Sequence, residues 1–236
     1  MADGVRRGSL PYTAAMQTIA ERVERVRLLM GAACLRSGRS PEAVTLVAVT
    51  KGVAAQAIRE AVAAGIAHLG ENRVQEAEAK RPALADLEAG VRWHMVGHLQ
   101  TNKVKTAIGL FDIIHSVDSL RLAEAISKRA TKAVPVFLEV NVSAEPSKYG
   151  FALDELPRQH EAISSLPNID LRGLMTIAPQ LPSAEAVRPV FSRLRNAAES
   201  LGRHELSMGM SDDFEVAVEE GATCVRIGRG IFGEHG

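Results

Sequence analysis

Two rhythms of apolar residues divide the chain. Short apolar runs, read as buried strands, fall at 44–50, 66–69, 92–96, 113–116, 134–142, 171–177, 205–208 and 224–227. Between them, apolar residues recur at helical spacing over 55–64, 73–88, 120–131, 184–201 and 213–220. Parallel strands need such crossovers, so the alternation places the chain in the α/β class. Eight strands in this order predict a TIM (β/α)8 barrel. An open doubly wound sheet is the competing topology, because a strand count alone does not prove closure. Ahead of the first strand, residues 13–36 set Ile19, Val23, Val26, Leu29 and Met30 at helical spacing among Glu and Arg. This predicts an extra N-terminal amphipathic helix, packed on its own barrel or on a partner. Ser40-Pro41-Glu42 carries a helix-start signal. The expected organisation is one domain over 1–236, with the helix at 13–36 and the barrel at 44–233.

Composition narrows the function classes. Lys plus Arg equals Asp plus Glu at 28 each, so no bulk field favours nucleic acid or a membrane surface. Cys34 and Cys224 are the two cysteines and lack metal-ligand spacing, which predicts a reduced, cytoplasmic protein. The N-terminal residues lack an apolar core, and no window approaches the roughly 18 apolar residues of a membrane span.

In such a barrel the chemistry belongs at the C-terminal ends of the strands. Lys51 follows the first strand, where its amine would be partly shielded from water; desolvation disfavours the ammonium, as a Schiff-base lysine requires. Taken alone it reads more readily as a solvated lysine past a strand end, and it needs support elsewhere. The seventh strand leads into Ser207-Met208-Gly209-Met210-Ser211-Asp212-Asp213, whose backbone amides ahead of a helix suit a phosphate. Asp212 with Glu215 also makes a capping box, and both readings hold together. After the eighth strand, Gly228-Arg229-Gly230-Ile231-Phe232-Gly233 matches a dinucleotide fingerprint, but only three residues follow Gly233, so no βαβ unit fits. Gly228 instead allows close backbone approach to a phosphate, and Arg226 shares its strand face, pointing inward to a ring nitrogen or a carboxylate. His94 and His98, separated by Gly97, do not read as a metal pair, and no metal is expected.

The segments LVAVTKG, HLGENRVQEAEAK, WHMVGHLQTNKVK, IHSVD, EVNVSAEPSKYGF, LRGLMTIAP, LSMGMSDDFEVAVEEGAT and VRIGRGIFG, in this order, closely resemble the pyridoxal phosphate homeostasis proteins. That family is similar in fold to the N-terminal barrel of bacterial alanine racemase. The resemblance implies pyridoxal 5′-phosphate as cofactor, held as a Schiff base on Lys51, with Arg226 at the pyridine nitrogen. Ser211, Gly228 and Arg229 stand at its phosphate-binding positions, and Asn72 and Met208 line the cofactor. Arg229 departs from the Thr or Ser of many members, so a backbone contact survives there and a hydroxyl contact does not.

A guanidinium cannot accept a proton from a pyridinium, so an arginine at the ring nitrogen weakens the cofactor's electron sink. The chain also has no room for the second domain that supplies racemases with an opposing tyrosine, and neither Tyr12 nor Tyr149 matches that position. The resemblance therefore implies a cytoplasmic carrier or regulator of the cofactor, monomeric or weakly dimeric, with apo pyridoxal phosphate enzymes as partners. The alternatives are an amino-acid racemase with Lys51 as base, and a phosphate-binding barrel without this cofactor.

Overall fold

A computed structural model describes residues 18–233. Eight parallel strands close on themselves in the order β1 to β8: β1 (Thr45–Val49), β2 (His68–Glu71), β3 (Arg92–Met95), β4 (Ile113–Val117), β5 (Val134–Glu139), β6 (Ile169–Met175), β7 (Glu205–Ser207) and β8 (Cys224–Ile227). The open sheet is thereby excluded: β8 pairs with β1 from Thr45 opposite Cys224 to Ala48 opposite Ile227. Every predicted strand is present, with ends shifted by up to a few residues.

The helices are α1 (Ile19–Arg36), α2 (Ala55–Ala63), α3 (Val74–Lys80), α4 (Val104–Leu110), α5 (Leu120–Arg129), α6 (Leu156–Ser164), α7 (Arg188–Ser200), α8 (Phe214–Glu219) and α9 (Arg229–Phe232). Proline explains two departures from the sequence pattern. The helix expected over 73–88 ends at Lys80 and continues as 3-10 turns over Arg81–Gly90, because Pro82 lacks an N–H and its ring crowds the preceding turn. The helix expected over 184–201 opens as a 3-10 turn, Ala184–Val187, and becomes α-helical at Arg188, with Pro189 in the first turn where its missing N–H costs nothing. The start signal at Ser40 gives only the three-residue 3-10 turn Pro41–Ala43, and Ser40 donates to Glu42 instead of capping it.

The N-terminal helix is found from Ile19, capped by Thr18, which forms a capping box with Glu21; residues 13–17 of the expected helix lie outside the described part. It packs on its own barrel. Val23, Val26, Met30, Ala33 and Cys34 are buried, Arg27 donates to the carbonyls of Ala64 and Gly65, and Arg36 pairs with Glu215 and Glu219 of α8. α1 thus lies outside the β8–β1 seam.

Strand pairing identifies the residues that point into the barrel. Val47 sits opposite Arg226, Val49 opposite Gly70, and Gly70 opposite His94. Partners in a parallel ladder share a face. Gly70 keeps this interior open, since a Cβ there would come within 2.9 Å of a Val47 methyl. No described helix is long and apolar enough to cross a membrane.

Candidate functional site

The loop after β1 is a tight turn. Val53 N donates to Thr50 O at 3.0 Å, and Gly52 has a positive φ of 73°, a conformation that costs glycine nothing. Beneath it lies a buried polar anchor. Glu71 Oε1 accepts from Lys80 Nζ at 2.7 Å and from Thr50 Oγ1 at 2.6 Å, while the same ammonium donates to Thr50 O. Lys51 therefore has a fixed backbone, but its side chain is exposed. The expected shielding is not found, because Lys51 is the second residue of a turn that has already left the barrel. It lines an open cavity of about 620 Å³ together with Asn72, Gly97 and His98.

Asn72, Ser211, Arg226, Gly228 and Arg229 meet in an adjoining cavity of about 320 Å³, also lined by Gly97 and Met210. Asn72 and Gly97 thus form the wall between the two spaces. The contact is close: a Cβ on Gly97 would fall 2.4 Å from Asn72 O. Met208 does not line either cavity. It is fully buried in the apolar core, and Met210, two residues on, reaches the space instead.

Ser211 Oγ accepts from Gly230 N at 3.1 Å, joining the segments after β7 and β8. The backbone amides of Ser211 and Asp212 make no hydrogen bond among the described residues. Asp212 does not cap α8 as its spacing suggests. Asp213 is the residue before the helix, its Oδ1 accepting from Met210 N at 2.6 Å, whereas Asp212 pairs outward with the Arg229 guanidinium.

Arg226 lies at the floor of the smaller cavity, buried, with no carboxylate within ion-pairing distance among the described residues. It donates to Ser207 Oγ at 2.7 Å and to Thr176 O at 2.9 Å. Burial pulls its pKa down, opposed by Cys224, Glu139 and Asp213. Two donor bonds hold the guanidinium in place and leave the rest of its five N–H groups for a ligand atom.

Glu139, at the end of β5, went unrecognised in the sequence. Its carboxyl is buried, and that burial, with the charge of Asp118 adding and Arg226 opposing, pushes its pKa up to about 7. The native state then holds a proton that the unfolded chain releases near its ordinary value of 4.5. Its contribution to stability is complete below that value and is lost as pH rises through about 7. Glu139→Gln should remove this loss. Urea denaturation is expected to find the variant gaining on the parent between pH 5 and 8, by on the order of 3 kcal/mol.

Three comparisons place this geometry among known proteins. The family described as alanine racemase, N-terminal domain, matches residues 33–236. A pyridoxal phosphate homeostasis protein of Pseudomonas aeruginosa is 45% identical over 92% of this chain and 96% of its own length. The Aquifex aeolicus protein of the same name is 46% identical over 91% and 97%. Among solved structures, PipY of Synechococcus elongatus, with PLP bound, is 42% identical with a TM-score of 0.78, covering 91% of this chain and 100% of that one. An alanine racemase of Corynebacterium glutamicum shares the fold at a TM-score of 0.70 and 18% identity, and this chain covers 61% of its length. The chain belongs to the pyridoxal phosphate homeostasis protein family.

Proposed function

We propose that this protein binds pyridoxal phosphate, holds it as a Schiff base on Lys51, and serves the homeostasis of that cofactor rather than rapid turnover. The observation that carries the reading is Arg226, a buried guanidinium without a carboxylate partner among the described residues, facing a cavity that Ser211 and Gly228 also line. A phosphorylated pyridine aldehyde fits this donor set: a ring nitrogen to accept from Arg226, and phosphate oxygens to accept from the amides of Ser211 and Asp212. A Cβ on Gly228 would already approach Val49 O to 3.4 Å, so the glycine keeps the backbone accessible. Arg229 supplies a backbone position here, its guanidinium being turned to Asp212.

Lys51 would hold the cofactor's aldehyde carbon through a C=N bond, water being the leaving group. When bound, the cofactor supplies an electron sink, and Arg226 limits it by donating to the ring nitrogen without protonating it. The openness of the cavity around Lys51 favours exchange over sequestered catalysis. Both cysteines are buried and unpaired, which supports a reducing, cytoplasmic setting. The reading extends to one cofactor-binding domain, monomeric or weakly dimeric, with apo pyridoxal phosphate enzymes as recipients.

A spectral titration with pyridoxal phosphate, followed by borohydride reduction and peptide mapping, tests it. The label is expected on Lys51 alone. A label elsewhere, or turnover of alanine near the ordinary enzyme range of about 1 per second or above, would replace the carrier reading.

A further inference from the structure

The barrel interior holds a line of buried polar groups that cofactor attachment does not use. His68, His94 and His115 stand on consecutive strands, β2, β3 and β4. His68 Nδ1 lies 2.9 Å from His94 Nε2, and His94 Nδ1 lies 2.8 Å from His115 Nε2. His115 Nδ1 then reaches Ser207 Oγ at 2.7 Å, the same oxygen that accepts from Arg226. β4 and β7 are not neighbours in the sheet, so that bond crosses the barrel. The outer end opens on a cavity of about 450 Å³ at the N-terminal ends of the strands, lined by His68, Arg92, Arg172 and Glu205 among others. One hydrogen-bonded line therefore runs from the far rim to the floor of the cofactor cavity.

A neutral imidazole donates from one nitrogen and accepts at the other, so such a line has two polarities. Arg226 selects one of them. Its guanidinium always donates, so Ser207 accepts from it and gives its own hydrogen to His115 Nδ1. His115 Nε2–H then faces His94 Nδ1, and His94 Nε2–H faces His68 Nδ1. Every ring turns its electron-rich nitrogen toward the cation. The inner rings stay neutral: burial first, then the charges of His68 and Arg92, pushes His94 down to about 3, and burial holds His115 well below its usual range.

A proton on His68 demands the opposite sense. Its Nδ1 must then carry hydrogen, His94 Nε2 must accept it, and both inner rings change tautomer in turn. His115 Nδ1–H finally donates to Ser207, whose oxygen now faces two donors. The serine hydrogen is left with the Cys224 thiol, which lies opposite Ser207 in the ladder and is a weak acceptor. No net charge enters the interior; only the line's direction changes.

We propose that His68, His94, His115 and Ser207 form a positioning relay for Arg226, with its polarity set at His68 and felt at the ring end of the cofactor cavity. The inference rests on Arg226 facing the cofactor ring. At the outer end, His94 and Arg92 of β3 and Asp112 ahead of β4 face His68, with Arg172 of β6 and Glu205 of β7 across the cavity; burial first and then Arg92 oppose a proton there and lower its pKa, while Asp112 favours one. At the inner end, Glu139, Asp213 and Cys224 surround Arg226.

Long-range proton–nitrogen correlation spectra of the histidine rings, taken on the full chain without cofactor, read the relay directly. As His68 takes up a proton, His94 and His115 are expected to pass from Nε2–H to Nδ1–H while remaining neutral. Over the same range the dissociation constant for pyridoxal phosphate should rise roughly tenfold. His68→Gln, whose amide cannot take up a proton, should show neither change. Fixed tautomers during His68 titration, a His68 that stays neutral wherever the protein is folded, or the same affinity change in His68→Gln would each overturn the relay. If pyridoxal phosphate does not bind at any pH, the cofactor reading falls and the coupling to the ring falls with it, while the tautomer spectra still decide whether the polarity switches.

Discussion

Lys51→Ala is expected to lose all borohydride-stable label while keeping measurable affinity for pyridoxal phosphate. The two cavities make these separable. Lys51 lines the outer space, whereas Ser211, Gly228 and Arg226 line the inner one, so removing the amine deletes the covalent bond and leaves the phosphate and ring contacts. Charge-assisted hydrogen bonds of the kind Arg226 offers contribute about 1.5–3 kcal/mol each, enough to hold a ligand reversibly. Equilibrium dialysis and absorbance read the two halves. An imine-type band that survives unchanged in the variant would move the attachment to another lysine.

Lys80→Met should produce the largest loss of stability among the residues beneath the site. Glu71 is fully buried, and its second carboxylate oxygen already lacks a partner. Removing Lys80 leaves that carboxylate with the Thr50 hydroxyl alone, and breaking a buried pair in this way typically costs about 3–5 kcal/mol. For a chain of this size that is a fall in Tm of roughly 10 °C. The double variant Glu71→Leu with Lys80→Met separates stability from positioning. Apolar replacement of both partners should recover most of the stability. Thr50 O would still lack its ammonium donor, so the Lys51 turn loosens and Schiff-base formation remains slow in stopped-flow absorbance. Normal rates in the double variant would show that the anchor serves folding only.

The sequence pattern reached the barrel because each strand is a short apolar run closed by Gly or polar residues, and β8, at Cys224–Ile227, was legible to the residue. α3 was not, since its apolar rhythm continues through Pro82 while the backbone cannot. The candidate site was legible in part: Ser211, Arg226, Gly228 and Asn72 line one cavity because successive strand ends form one rim, although the resemblance was needed to single out Asn72 and Ser211. The exposure of the Lys51 side chain and the burial of Met208 departed from expectation for a different reason: side-chain direction at a strand end depends on where the turn begins, and alternation stops being a guide there. The histidine line was hidden by distance. His115 and Ser207 are far apart in the chain, and only the closed circumference brings them within hydrogen-bond reach. A parity check would have found part of it, since the ladder sets Val49, Gly70 and His94 on one face in common.

The β8–β1 seam has a kinetic meaning as well. Lys51 follows the first strand and Arg226 lies on the last, about 175 residues away in the chain, and the pairing that closes the circle sets those two strands side by side. A growing polypeptide therefore lacks the cavity floored by Arg226 until its final strand is in place. A ligand that bound only the closed form would add its binding free energy to closure itself, so its supply would act as a latch on the finished barrel.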